Sequence, residues 1–111
     1  TAGACYSARW TTAHPKELRE SIRKAIQMKG FRFIEVVSQC PTAYGRRAGF
    51  KNVGEMLKWF KEDAIPIQQA EKMNEKELVR KIVIGEFVER RRLTIVETVY
   101  AVIREVQTNG R

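Results

Sequence analysis

At 111 residues the chain has room for one small domain with a modest core. Hydrophobic residues at 43% suit a globular chain, and no apolar run nears the roughly 20 residues that a membrane-spanning helix needs. Lys and Arg total 21 against 13 acids, a net charge of +8. Such a balance draws polyanions and acidic proteins. Yet the basic residues are scattered over helix faces, with short clusters only at Arg46-Arg47 and Arg90-Arg91-Arg92. Without a helix-turn-helix, zinc-finger spacing or RNA-binding aromatic signature, nucleic acid is not the expected partner.

In chain order, Gly3 to Trp10 reads as a strand, followed by the turn Thr11-Thr12-Ala13-His14 into a helix. Pro15 suits the first helical turn, where its missing N–H costs nothing. Leu18, Ile22, Ala25 and Ile26 form one apolar stripe, and Gly30 supplies a left-handed stop. Phe31 to Val37 is the clearest strand. It is apolar on both faces, with Phe31, Phe33 and Val37 on one and Ile34 and Val36 on the other, which predicts a place inside a sheet covered by helices. Strand, helix and strand with short connections make a βαβ unit.

Pro41 to Lys51 reads as loop. Asn52 and Glu55 cap a helix whose apolar face is Val53, Met56, Leu57 and Phe60 and which Pro66 ends. Ile67 to Glu77 carries little pattern and reads as a mobile or lightly helical connection. Lys81 to Val88 is a further strand interrupted by Gly85. Thr94 and Glu97 box the start of a last helix, Ile95 to Val106, with Val96, Val99, Tyr100, Ile103 and Val106 expected to face the core. The fold class is α/β. A sheet of these strands alone leaves both edges open, so the isolated chain is expected to self-associate.

Cys40 falls in the loop after the second strand, at the carboxyl end where open α/β sheets hold their ligands. By itself it is either a small apolar filler or a ligand donor, since one cysteine makes no metal site. A disulfide to Cys5 is not expected. With the two strands parallel and Cys5 level with Phe33, the cysteines lie about 20 Å apart along the sheet. A disulfide needs Cα atoms within about 7 Å. Free thiols and a reducing cytoplasm follow. Thr1-Ala2-Gly3-Ala4-Cys5 has no basic stretch followed by an apolar one, so no signal peptide is expected. Cys5, inside a strand, reads as filler. His14 reads as a cap or surface residue, because no acid–base partner can be named for it. Trp10, Trp59, Phe60 and Tyr100 read as core or interface anchors. Arg90-Arg91-Arg92 reads as a charged strand exit or a subunit contact.

Ser38-Gln39-Cys40-Pro41-Thr42-Ala43-Tyr44-Gly45-Arg46-Arg47, following Phe31 to Val37, resembles the C-terminal part of the β subunit of the 2-oxoacid:ferredoxin oxidoreductases, most closely the 2-oxoglutarate type. Gly3-Ala4 through Trp10-Thr11-Thr12, His14-Pro15 to Gly30, Glu55 to Trp59 and Gly85 to Arg90 match it in order and spacing. The resemblance implies the last portion of a thiamine-diphosphate-binding domain over residues 1–47, with a C-terminal extension of helix and strand over residues 48–111. It also implies thiamine diphosphate, Mg2+ and a [4Fe–4S] cluster in the intact enzyme, with Cys40 as the last of four thiolate ligands. The family's Cys-x-x-Cys, its third cysteine and its metal–diphosphate motif lie upstream in the intact subunit and are absent here. The chain is therefore expected to be a fragment, inactive alone and without bound cofactor, with no catalytic residue of its own. Its expected partners are the α subunit and ferredoxin, the latter drawn by the positive charge. Arg46 and Arg47 could grip the second carboxylate that distinguishes 2-oxoglutarate from pyruvate. The rival reading is a basic, non-enzymatic binding or assembly domain.

Overall fold

The computed structural model describes residues 3–109. Its elements are β1 (Tyr6–Thr11), α1 (Pro15–Gln27), β2 (Arg32–Val37), α2 (Arg46–Ala48), α3 (Val53–Glu62), β3 (Ala64–Pro66), α4 (Ile67–Ala70), α5 (Glu75–Leu78), β4 (Ile82–Glu89) and α6 (Ile95–Asn109). The strands form one sheet in the order β2-β1-β4-β3. β1 and β2 run parallel, joined by α1, with Tyr6 opposite Arg32 and Thr11 opposite Val37. β4 pairs antiparallel to β1 on its other side, with a register shift between Ser7 and Ala8. β3 closes the far side, parallel to β4. Residue 47 falls between the two strand pairs, so residues on either side of it build the same sheet.

Alternation along β1 places Tyr6, Ala8 and Trp10 on one face, and α1 lies against it. Tyr6, Ala8 and Ala25 are buried together there, with Trp10, Met28 and Ile34 packed around them. A second cluster joins Phe60 of α3 to Ile82 and Ile84 of β4. Between α1 and the sheet runs a satisfied polar chain. The Trp10 indole donates to Ser21 Oγ at 2.6 Å, Ser21 Oγ lies 2.9 Å from the Tyr6 hydroxyl, and Tyr6 donates to Glu86 at 2.7 Å. An indole N–H only donates and a carboxylate only accepts, so the protons must point in that order. Lys24 completes the chain, 3.0 Å from Glu86. Burial raises the Glu86 pKa, but the bonds from Tyr6 and Lys24 outweigh it and leave the carboxyl below its ordinary value.

Several sequence expectations need correction. β2 is an edge strand among the described residues, paired only with β1; Phe31 is 56% and Phe33 52% exposed. Its two-sided apolar pattern reports a face that this chain does not itself cover. The stretch read as loop after Cys40 is coiled: Gly45 N–H donates to Cys40 O at 2.8 Å, closing a π-type turn that runs into α2. α3 stops at Glu62, and Pro66 ends β3, a strand too short to show period-two alternation. The connection from Ile67 folds into α4 and α5, the latter with an Asn74–Glu77 capping box. The largest departure is α6. Its Thr94–Glu97 box forms as expected, at 2.7 and 3.1 Å. But its large apolar side chains, Val96, Val99, Tyr100, Ile103 and Val106 among them, are 44–84% exposed and face no core of this chain.

Candidate functional site

The carboxyl ends of the parallel pair β1 and β2 are laced together. Thr12 N–H donates to Val37 O at 3.0 Å, and the Thr12 hydroxyl to Gln39 Oε1 at 2.7 Å. His14 Nδ1 lies 2.8 Å from Thr11 Oγ1, holding the turn into α1, so the lone histidine is tied into structure. The Cys40 turn begins three residues after β2. Gly45 is buried beneath that turn; a Cβ there would come within 3.1 Å of Met56 Sδ and 3.3 Å of Cys40 O, so the position is tightly packed.

Cys40 itself is exposed, its Sγ 3.8 Å from Thr42 Oγ1. The backbone N–H groups of Tyr44 and Ala43, joined by the Thr42 hydroxyl, hold its thiol below the ordinary pKa. The sulfur thus faces solvent, and its surroundings favour the thiolate form, which binds soft metals, more than those of a free cysteine do. Cys5 is its opposite: buried, level with Phe31 at the other end of β1, and pressed against Gly30, where a Cβ would meet its Sγ at 2.4 Å. The two thiols are free, as expected from their separation along the sheet. Among the described residues, no group of three or more His, Cys, Asp or Glu side chains is placed to hold a metal ion.

Arg46 and Arg47 follow on α2, both exposed. Their side chains part company. Arg47 lines a cavity of about 690 Å3 floored by Tyr44, Phe50 and Trp59, and Arg46 is not among the cavity's lining residues. Trp59 is the hub of that floor: Tyr44 stacks on it at 6.3 Å between ring centroids, and Phe50 tilts against it at 5.3 Å. Trp10 and Phe60 pack as expected of anchors, whereas Tyr100 stands on the uncovered α6. Sequence reasoning missed Phe50 and Arg80 at this place. Neither carries a motif, and Arg80 reaches Trp59 only through the fold, its carbonyl accepting the indole N–H at 3.2 Å.

No family model matches the chain. A 2-oxoglutarate synthase subunit KorB from Methanocaldococcus jannaschii is 50% identical over 107 residues, covering 96% of this chain and 40% of that protein. The subunit of the same name from Methanothermobacter marburgensis is 45% identical over 104 residues, covering 94% of this chain and 36% of that protein. The chain thus spans about two fifths of the length of the curated relatives it matches. Among solved structures, a chain of the 2-oxoglutarate:ferredoxin oxidoreductase from Magnetococcus marinus, determined with 2-oxoglutarate, coenzyme A and succinyl-CoA bound, superimposes with a TM-score of 0.62. That match covers 95% of this chain and 36% of that one at 19% identity, and so speaks for the fold alone. Over nearly its whole length, the chain is homologous to part of the KorB subunit of 2-oxoglutarate synthase.

Proposed function

We propose that the chain is the C-terminal part of the β subunit of a 2-oxoglutarate:ferredoxin oxidoreductase, and that it supplies one thiolate, from Cys40, to the enzyme's iron–sulfur cluster. The observation that carries this is the exposed, amide-supported sulfur at the carboxyl end of a parallel strand pair, in a chain whose relatives are KorB subunits. A single thiolate fits a shared site and not a complete one, so the other ligands come from elsewhere in the enzyme. A cluster held there would supply one-electron transfer to ferredoxin as the substrate is oxidised. The turn's own work is to hold the sulfur at the surface and fix its direction through the Cys40–Gly45 hydrogen bond.

Thiamine diphosphate and Mg2+ belong to the same reading of the whole enzyme, which decarboxylates a 2-oxoacid and passes the acyl group to coenzyme A. The carboxylates beside the Cys40 turn do not suit a magnesium site. Glu35 is paired with Arg9 at 2.6 Å and Asp63 with Lys81. Residues 1–47 would then close the thiamine domain, with residues 48–111 adding two strands to its sheet and an α6 whose apolar face fits contact with the α subunit. No helix among the described residues is long and apolar enough to cross a membrane; the proposed location is the cytoplasm. In this reading Arg46, exposed and outside the aromatic cavity, grips the second carboxylate of 2-oxoglutarate. The chain alone is inactive. The central test is Cys40→Ala in the complete enzyme: the cluster's paramagnetic signal and its share of bound iron should disappear. An unchanged spectrum sinks the assignment.

A further inference from the structure

We propose that Gly45 and Met56 are positioning residues for the iron–sulfur cluster: together they seat the Cys40 turn on α3 and so fix where its sulfur stands. The inference rests on the reading of Cys40 as a cluster ligand. Gly45 is buried, with φ −58° and ψ −44°. Any residue adopts that right-handed backbone, so conformation does not call for glycine here. Space does. A Cβ at this position would lie 3.1 Å from Met56 Sδ and 3.3 Å from the Cys40 carbonyl oxygen. Either neighbour would have to give way by a few tenths of an ångström. Met56 is itself only 1% exposed, one helical turn before the equally buried Phe60. In a close-packed interior its sulfur has little room to retreat, so the strain falls on the turn.

Further ties hold the turn to the same seat. Gly45 N–H donates to Cys40 O at 2.8 Å, and Gly45 O accepts from Phe50 N–H at 2.9 Å. Tyr44 stacks on Trp59, three residues beyond Met56 on α3, with the ring planes 21° apart. Gly45 therefore lies where the start of the turn, the exit from α2 and the flank of α3 meet. Immediately before it come the two amides, of Ala43 and Tyr44, that favour a charged Cys40 sulfur. Displacing Gly45 displaces them. Hydrogen bonds to the sulfurs and solvent exposure set the potential of an iron–sulfur cluster, and N–H donors favour the more negative, reduced form. In this way α3, which follows the cysteine turn in the chain, acts on the cluster's surroundings through Gly45.

The test is Gly45→Ala in the complete, assembled enzyme, read by paramagnetic resonance and by redox titration of the cluster. Iron content should hold while the resonance lines shift or broaden. At the potential where the wild-type cluster is half reduced, the ratio of reduced to oxidised cluster should fall at least about threefold, because the displaced amides support the reduced form less. Adding Met56→Ala, which vacates the space the new methyl group needs, should bring lines and ratio back towards wild type. If Gly45→Ala does not assemble, Met56→Ala alone carries the test: a loosened seat should broaden the lines, and unchanged lines overturn the proposal. So does an unaltered spectrum and ratio in Gly45→Ala, or a shift there that Met56→Ala fails to reverse. Cys40→Ala keeps the two readings apart. If it leaves the cluster in place, the ligand assignment falls and the positioning role with it. If it abolishes the cluster and Gly45→Ala changes nothing, only the positioning role falls.

Discussion

Cys40 leaves β2 with its sulfur in solvent and the amides of the following turn disposed around it. Its position was legible from local signals, an apolar strand that stops and a proline that stiffens the exit. Its electrostatic surroundings were not, since they come from the π-type closure onto Gly45. Gly30 shows the same division. A left-handed stop after α1 was readable, and its φ is 93°, but the pressure of the Cys5 sulfur against it belongs to the packing. Arg80, whose φ is 73°, was invisible to sequence reasoning, because nothing marks an arginine for a left-handed backbone. Arg46 carries the prediction at this scale. Replacing it with Gln in the complete enzyme should raise the KM for 2-oxoglutarate by about tenfold, the loss of one charge-assisted carboxylate contact, and leave pyruvate nearly unaffected. Equal losses on both substrates would return Arg46 to plain surface charge.

Two elements present apolar surface that the chain leaves uncovered. β2 offers an unpaired edge together with exposed Phe31 and Phe33. α6 is soundly capped by Thr94 and Glu97, yet its large apolar side chains stay 44–84% exposed and join no buried cluster among the described residues. Both were readable as elements because hydrophobic period and capping residues are local. Their destinations were misread for one reason: periodicity shows that a face is meant to be covered, but not by what. An open strand edge and a bare apolar helix both favour association. The isolated 111-residue chain should therefore elute and scatter as dimers or larger species, and Val99→Lys with Ile103→Lys on α6 should reduce them. A monodisperse monomer by light scattering would contradict this.

Across the whole molecule, the +8 charge is not evenly available. Near the Cys40 turn, Glu35 and Asp63 are neutralised by Arg9 and Lys81, while Arg46, Arg47 and Arg80 remain without ion pairs among the described residues. The residual field beside Cys40 is thus positive, which under the proposed function would favour an acidic ferredoxin. Electron transfer from the complete enzyme to ferredoxin should slow several-fold as ionic strength rises from about 0.05 to 0.5 M, as screening shortens the reach of these charges. A rate indifferent to salt would remove the electrostatic role.

The sequence by itself determined the β1-α1-β2 unit, the helix caps and the place of Cys40 at a strand's carboxyl end. Each of these is set by neighbours a few residues away. Only the tertiary structure decided that β4 enters antiparallel between β1 and β3, that β2 stands at an edge, and that Tyr44, Phe50, Trp59 and Arg80 share one cavity. Strand pairing and the meeting of distant side chains depend on which apolar faces find each other. A periodic pattern records the existence of such a face and carries no record of its partner.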